Sequence, residues 1–247
     1  MKMKLTEQNY WVNAQGNINL NLADNNPIKV WIENNFNFSK INNCIEIGCF
    51  PGRYLTIFGN QGIEVNGLDF IPEIEMLKTV FENNNYLAGH FINADFTNYN
   101  PKKKYDCVVS FGFIEHFKNW NVIFEKHIDY VNENGYIIIE VPNFRGFFQR
   151  LPRYLFDFEN YKRHNIESMN IESWKKILIK HNFEIVNAEY FGGYELWNEN
   201  NNKNRFFLTL KFIVEKALLK IKRLVYPNIS DHRNFSSYMG IIAKKNV

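Results

Sequence analysis

The feature that most constrains the fold is a short stretch in which a buried strand, a glycine-containing turn and the start of a helix follow one another. Residues 44–47 (Cys-Ile-Glu-Ile) are mostly apolar, and residues 48–52 (Gly-Cys-Phe-Pro-Gly) form the turn. Glycine suits such a turn because a residue without a Cβ lets backbone N–H groups approach a ligand. The next apolar segment, residues 62–69, ends at Asp69, which lies 21 positions beyond Gly48. An acidic side chain at this distance can accept hydrogen bonds from a ribose.

Strand-like and helix-like segments alternate along the chain, which predicts a parallel, doubly wound α/β sheet. The segment 105–110 is largely apolar, as expected of a central strand that is covered on both faces. A helix is predicted at 120–131, with Asn134-Gly135 ending it and the fifth strand starting at Tyr136. The other predicted elements are helices at 27–38, 53–58, 71–83, 169–180 and 205–226, and strands at 90–96, 182–193 and 238–245.

On these residues the chain resembles the class I S-adenosylmethionine-dependent methyltransferases, and the similarity runs through most of its length. The family usually has three alternate glycines in the turn, and here Phe50 takes the middle place, as in a variant in which the first and third glycines suffice. The resemblance implies one domain over residues 1–247, built on a mostly parallel seven-stranded sheet of order 3-2-1-4-5-7-6. It also implies an antiparallel last strand, helices on both faces and a cap between strands 5 and 6.

The resemblance implies S-adenosylmethionine as the cofactor and assigns to it residues at the ends of successive strands. The glycine turn would lie beside the amino-acid half of the cofactor, and Glu46 would bond the turn or the cofactor's ammonium group. Asp69 would accept hydrogen bonds from the ribose, and Phe70 would pack on the adenine. Asp95 would accept a hydrogen bond from the adenine amine unless it only caps a turn. The cofactor-binding residues expected on this basis are Glu46, Gly48, Cys49, Gly52, Asp69, Phe70, Asp95, Phe96, Ser110 and Phe111.

Two histidines are candidates for the general base that an alcohol acceptor would need. His116 follows the fourth strand in the sequence Phe-Gly-Phe-Ile-Glu-His, and His164 lies in the sequence Tyr-Lys-Arg-His-Asn. An imidazole can accept a proton at neutral pH because its ordinary pKa is about 6.5. The alternative for His116 is that it orients the turn, and the alternative for His164 is a hydrogen bond within its own loop.

The segment 144–170 alternates basic and aromatic residues and is too long for a simple connection between a strand and a helix. In chains that this one resembles, the region is a substrate-binding cap over the active cleft. Guanidinium groups bind phosphate and carboxylate bidentately, so a small-molecule acceptor that bears such a group is expected. The alternative is that these arginines are solvated surface residues. The substrate-binding candidates are Arg145, Arg150, Arg153, Tyr161 and Arg163.

Two flanking segments carry further expectations. Residues 1–24 contain Tyr10-Trp11, which would either fold over the cofactor as an N-terminal lid or pack on the edge of the domain. Residues 194–226 are expected to form a peripheral loop and a basic amphipathic helix over 205–226. The apolar face of this helix would pack on the sheet edge and leave a solvated basic face, or the helix would contact a membrane surface or a partner.

Composition and cysteine usage exclude several classes of protein. The formal net charge of the 247 residues is only +3, so the charge balance does not require a nucleic-acid partner. Cys44, Cys49 and Cys107 have no CxxC spacing and no neighbouring histidine pair, which predicts reduced thiols and neither a disulfide nor a metal site. No apolar run approaches the roughly 20 residues of a membrane span, and the N-terminus shows no secretion signal, so the sequence predicts a cytoplasmic protein.

The leading hypothesis is a small-molecule O-methyltransferase. Because similar bacterial methyltransferases serve such pathways, the expected acceptor is a sugar nucleotide or a surface-polysaccharide intermediate of capsule or lipopolysaccharide. Methylation of RNA or protein is the alternative within the fold, although the chain has no Asn/Asp-Pro-Pro-aromatic motif for amino methylation. A cofactor-binding module without catalytic activity is another alternative. A nicotinamide-dependent enzyme is disfavoured because the sixth position from Gly48 is Arg53 and not glycine.

Overall fold

The computed structural model describes residues 4–6, 18–196 and 204–247, and these contain one seven-stranded sheet. Its order is β3-β2-β1-β4-β5-β7-β6, and only β7 runs antiparallel to its neighbours. The predicted sheet order and the antiparallel last strand are therefore confirmed. The strands are β1 (Asn43–Ile47), β2 (Glu64–Asp69), β3 (Ala88–Asn93), β4 (Tyr105–Phe111), β5 (Val131–Pro142), β6 (Phe183–Phe191) and β7 (Tyr238–Lys245).

Both faces of the sheet are covered by helices, because successive residues of each central strand point to opposite sides. In β4, Val108 belongs to one buried cluster and Val109 to the other, and Ile137 and Ile138 of β5 alternate in the same way. The helices are α1 (Pro27–Asn35), α2 (Leu55–Gly59), α3 (Glu75–Asn83), α4 (Trp120–Ile128), α5 (Phe147–Phe156), α6 (Phe158–Lys162), α7 (Ile171–Lys180) and α8 (Arg205–Val225).

The boundary between α4 and β5 differs from the prediction. Helix α4 ends at Ile128 and β5 begins at Val131, so the prediction that Asn134-Gly135 ends the helix is wrong. Asn134 instead has a left-handed backbone (φ 62°) inside the strand, where the pairing register with β4 shifts. The strand tolerates this irregularity because asparagine and glycine adopt the left-handed conformation more readily than other residues.

The segment 144–170, which was expected to be a cap and is called the cap below, contains α5, α6 and a short 3-10 turn at Ile166–Ser168. Asn165 attaches the cap to the loop after β4. Its backbone N–H donates to the carbonyl oxygen of Glu115 (2.7 Å), and its side-chain amide donates to that of Phe117 (3.0 Å). These hydrogen bonds hold the cap against the carboxyl-terminal edge of the sheet.

Helix α8 packs on the cap through Val214 and Leu218 of the expected apolar face and through Phe207, which lies outside that face. Leu218 is the one buried residue of this helix, and the ring of Phe207 contacts that of Phe156 in α5, with centroids 5.5 Å apart. The stripe that was expected to pack on the sheet edge is largely exposed, with Phe206 77% and Leu224 73% accessible. Among the described residues, no helix combines the length and the apolar character needed to cross a bilayer.

The first described residues of the chain, 4–6, lie beside the loop after β4. There the backbone N–H of Leu5 donates to the carbonyl oxygen of His116 (2.8 Å). The expected lid residues Tyr10-Trp11 lie outside the described residues. Residues 4–6 thus border the same edge of the sheet as the cap.

Candidate active site

A pocket of about 500 Å³ opens at the carboxyl-terminal edge of the sheet. It is bounded by the loops after β1, β2, β3 and β4, by the end of β5, by the cap and by residues 4–6. The strand order reverses between β1 and β4, since β2 and β3 lie on one side of β1 while β4 and β5 lie on the other. In open α/β sheets, ligands bind at such a switch point.

The turn after β1 is shaped by Gly48 and Asp69. Gly48 has a left-handed backbone (φ 75°), and a Cβ there would lie 2.3 Å from the ring of Phe113. The Asp69 carboxylate accepts hydrogen bonds from the backbone N–H groups of Phe50 (3.0 Å) and Ile71 (3.2 Å), and its burial raises its pKa. The backbone of Phe50 is therefore held by Asp69, although its side chain occupies the position where the sequence resemblance favours glycine.

Three buried glutamates line the pocket: Glu46 in β1, Glu115 in the loop after β4 and Glu140 in β5. Within the described part of the chain, one carboxylate oxygen of Glu46, one of Glu140 and both of Glu115 lack a hydrogen-bond partner. Burial raises the pKa of Glu46 and Glu140 well above the ordinary value, and raises that of Glu115 to about 8. Buried polar atoms without partners are costly, so a cationic ligand would be stabilised in this pocket.

His116 and His164 approach each other from the loop after β4 and from the cap, with ring centroids 4.7 Å apart. Nδ1 of His116 lies 3.0 Å from the carbonyl oxygen of Arg163, and Nδ1 of His164 lies 2.8 Å from that of Asn160. A carbonyl oxygen can only accept, so Nδ1 carries the proton of each neutral ring and Nε2 is the basic atom. Burial lowers the pKa of His116 to about 4 and that of His164 well below its ordinary value. Both rings are therefore neutral at neutral pH.

Glu115 forms a group of three with these histidines. Its Oε1 atom lies 3.7 Å from Nε2 of His116, and one ligand-type atom from each of the three side chains lies within 4.8 Å of the others. Glu115 precedes His116 in the motif after the fourth strand, but its sequence position alone did not indicate a role. A carboxylate in a loop is normally solvated, and its burial depends on the cap, which follows much later in the chain.

Another part of the pocket contains Asp95 and Phe70, which were expected near the adenine. Asp95 accepts hydrogen bonds from Nζ of Lys4 (2.8 Å) and from the backbone N–H of Thr97 (3.0 Å). Partial burial acts to raise the pKa of Asp95, but these hydrogen bonds outweigh it and hold the pKa below its ordinary value. Asp95 thus both caps its own turn and lines the pocket.

Most of the residues expected to bind the cofactor line this one pocket: Glu46, Gly48, Cys49, Asp69, Phe70, Asp95, Phe96 and Phe111. Gly52 and Ser110 were also expected to bind the cofactor, but they do not line this pocket. A Cβ on Gly52 would lie 3.0 Å from Phe81 of α3, and Ser110 is buried within the sheet. Adjacent residues of a strand point to opposite faces, which explains why Phe111 lines the pocket and Ser110 does not.

Of the five residues expected to bind the substrate, Arg163 lines the pocket. Arg145 and Arg150 line a separate cavity, and Tyr161 packs against aromatic rings of the cap. Arg153 is 1% exposed, and its guanidinium lies 4.1 Å from the centroid of a buried phenylalanine ring. A helix turns by about 100° per residue, so the alternation of basic and aromatic residues did not show which side chains face the cleft.

Comparisons with known proteins agree with this architecture. A family model described as a methyltransferase domain matches residues 17–188. A curated relative, the ubiquinone biosynthesis O-methyltransferase of Rickettsia prowazekii, is 24% identical over 112 residues, which are 45% of this chain and 44% of the relative. The chain therefore spans less than half the length of that relative.

Two solved structures have the same fold. A SAM dependent methyltransferase from Archaeoglobus fulgidus has a TM-score of 0.56 and 21% identity, covering 88% of this chain and 93% of its own. The plantazolicin methyltransferase BpumL, solved in complex with SAH (S-adenosylhomocysteine), has a TM-score of 0.51 and 17% identity, covering 89% of this chain and 80% of its own. At these identities the likeness concerns the fold.

Proposed function

The chain belongs to the methyltransferase domain family, and on that premise we propose that it transfers a methyl group from S-adenosylmethionine to an oxygen atom of a small molecule. The observation that carries this proposal is the pocket at the switch point of the sheet, which contains most of the expected cofactor-binding residues together with two histidines. Oxygen as the methylated atom is supported by the name of the curated relative, an O-methyltransferase.

The charges of the pocket fit S-adenosylmethionine. When bound, this cofactor supplies a methyl group attached to a positively charged sulfur atom, and it also carries an ammonium group. Glu46 would accept a hydrogen bond from the ammonium through the carboxylate oxygen that lacks a partner among the described residues. Asp69 would accept from the ribose hydroxyls through the lone pairs that its two backbone hydrogen bonds leave available, and Phe70 would pack on the adenine.

The acceptor hydroxyl would be bound and activated by Glu115, His116 and His164. An alcohol is a weak nucleophile until it loses its proton, so it has to be held where that proton can leave. The loop after β4 contributes Glu115 and His116 to the pocket, and the cap contributes His164 beside them. Because His164 belongs to the cap, the acceptor would lie between the cap and the sheet.

The acceptor class that we propose is a sugar nucleotide or a polysaccharide intermediate that carries a phosphate. Arg163 supports a phosphate or carboxylate on the acceptor, because this residue lines the pocket and guanidinium binds both groups bidentately. We expect Arg163→Ala to raise KM for such an acceptor. Lys162→Ala, which removes a neighbouring exposed cation paired with Glu159 (2.9 Å), should leave KM unchanged.

The test of this function follows the release of SAH and the mass gain of the acceptor across a panel of sugar nucleotides and other hydroxylated phosphates. We expect turnover of at least one acceptor, with His116→Ala and His164→Ala each slowing it by about 100-fold or more. Tight binding of SAH without turnover of any acceptor would instead support the alternative, a cofactor-binding module without catalytic activity.

We also propose that α8 places the protein on an anionic membrane surface. Apolar residues recur along one side of this helix at spacings of three, four or eight positions, and each is at least 43% exposed. These residues are Phe206, Leu210, Ile213, Ile221 and Leu224. Such a stripe on a helix that does not span the bilayer is typical of a helix lying in the membrane interface.

The charges of α8 favour anionic lipid over a second copy of the chain. Exposed basic residues accompany the apolar stripe: Arg205, Lys216, Lys220 and Arg223. The acidic residue of this helix, Glu215, pairs with Lys211 (3.5 Å). Lipid headgroups with negative charge complement these cations, whereas two copies meeting through this face would bring like charges together.

A further inference from the structure

We propose that Glu115, His116 and His164 together bind one divalent transition-metal ion. The cysteines and the local histidine spacing predict no metal site. Glu115 and His116 are adjacent, but His164 reaches them only through the folding of the cap. The donor set is two imidazoles and one carboxylate, which suits zinc, cobalt or iron in the divalent state.

The geometry brings one donor atom from each side chain to a common point. The three ligand-type atoms lie within 4.8 Å of one another, and Nε2 of His116 lies 3.7 Å from Oε1 of Glu115. Two donors that each bind an ion at about 2.0–2.2 Å lie at most about 4.4 Å apart, so binding draws these side chains closer together than in this structure. Three protein donors leave coordination positions open toward the pocket.

The backbone around the histidines holds both rings in the form that a metal requires. Nδ1 of His116 faces the carbonyl oxygen of Arg163 (3.0 Å), and Nδ1 of His164 faces that of Asn160 (2.8 Å). Each Nδ1–H thus donates to a carbonyl, which makes Nε2 the ring nitrogen that can act as a metal ligand. Histidines that bind metals almost always donate their other ring N–H in this way.

Glu115 provides an independent observation. Its side chain is 1% exposed and lines the pocket, and neither carboxylate oxygen has a hydrogen-bond partner among the described residues. A buried carboxyl group without partners is unfavourable, and a bound cation would supply the missing interaction. The ion would also link the loop after β4 to the cap through His164.

The role of the ion rests on the proposed function. An open coordination position would bind the oxygen of the acceptor hydroxyl and lower its pKa, and the proton would pass to solvent water. The oxygen would then be held between the cap and the sheet, ready to accept the methyl group. The binding of the ion itself does not depend on this role.

The test titrates the full chain, stripped with a chelator, with Co²⁺ alone and follows its visible absorption and the heat of binding. We expect a single Co²⁺ per chain, with no detectable binding by His164→Ala. Glu115→Gln, which keeps the shape of the side chain, should bind at least about tenfold more weakly. His181→Ala, which removes a surface histidine near Glu125 (3.4 Å), should bind Co²⁺ like the wild type.

Binding of SAH by the same variants separates this proposal from the proposed function and from misfolding. Retained SAH binding by His164→Ala would show that the variant is folded. If the wild type binds SAH but not Co²⁺, or if His164→Ala binds Co²⁺ as tightly as the wild type, the metal site is overturned and the methyltransferase proposal stands. If the wild type binds Co²⁺ as predicted but not SAH, the metal site stands and the proposed function fails.

Discussion

At the scale of single residues, Gly48 and Gly62 form a matched pair. Both have left-handed backbones, with φ of 75° and 74°. A Cβ on Gly48 would lie 2.3 Å from the ring of Phe113, whereas nothing lies within 4 Å of a Cβ on Gly62. A side chain at either position would therefore strain the backbone, but only a side chain at position 48 would also collide with a residue that lines the pocket.

We expect Gly48→Ala to lower the free energy of unfolding more than Gly62→Ala does. Gly62→Ala should lower the free energy of unfolding by about 1–2 kcal/mol because of backbone strain. Gly48→Ala should lower it by the same strain and, in addition, by the cost of displacing the Phe113 ring. Denaturant unfolding measures both losses, and SAH binding should be weakened in Gly48→Ala alone. Equal losses of stability with unchanged SAH binding in both variants would refute the role given to Gly48.

Local spacing was enough to predict some of the pocket residues but not all. Gly48 and Asp69 were predicted because a strand, a tight turn and the next strand place them together whatever the rest of the chain does. Glu115 was given no role and Arg153 was expected to bind the substrate, because the burial of both side chains depends on how the cap packs. The sequence shows that these side chains are charged, but not that one faces the pocket and the other the core.

At the scale of elements, the order of the sheet could be predicted because strands and helices alternate and because the chain resembles a known family. The start of β5 could not be predicted, because the pair Asn134-Gly135 can either end a helix or form an irregularity within a strand. Helix α8 carries apolar residues on two faces, with Phe207 and Leu218 toward the cap and Phe206 and Leu224 outward. Periodicity alone does not show which face packs.

The outward face of α8 gives a prediction about membranes. The chain should float with vesicles that contain phosphatidylserine and remain unbound to neutral phosphatidylcholine vesicles, because the basic residues of the helix are attracted to anionic headgroups. The double variant Phe206→Ser/Leu224→Ser removes two apolar side chains that are 77% and 73% exposed. It should reduce the fraction of protein that floats with the vesicles by about tenfold. The measurement is a flotation assay at physiological salt.

The control for this prediction is an exposed apolar residue on another helix. Ile179 of α7 is 62% exposed, and Ile179→Ser should float like the wild type. Equal binding to neutral vesicles, or an equal loss with Ile179→Ser, would count against docking through α8.

At the scale of the whole molecule, the pocket is assembled from distant parts of the chain. The strand ends supply Glu46 and Asp69, the cap supplies Arg163 and His164, and the first described residues border the loop that carries His116. No single segment contains a complete site, so the site depends on the fold. The central claim is that this pocket binds S-adenosylmethionine through its buried carboxylates.

The most direct measurement is a calorimetric titration with SAH, with NAD in parallel. The account predicts that the wild type binds SAH and not NAD. Glu46→Gln should weaken SAH binding by at least about tenfold, or ~1.4 kcal/mol, because an amide cannot supply the negative charge that pairs with the ammonium group. It should not lower stability, because it keeps the shape of the side chain and cannot place a charge in the buried site. Asp129→Asn, a change at an exposed carboxylate, should bind like the wild type. Binding of NAD in place of SAH, or unchanged SAH binding by Glu46→Gln, would contradict the account.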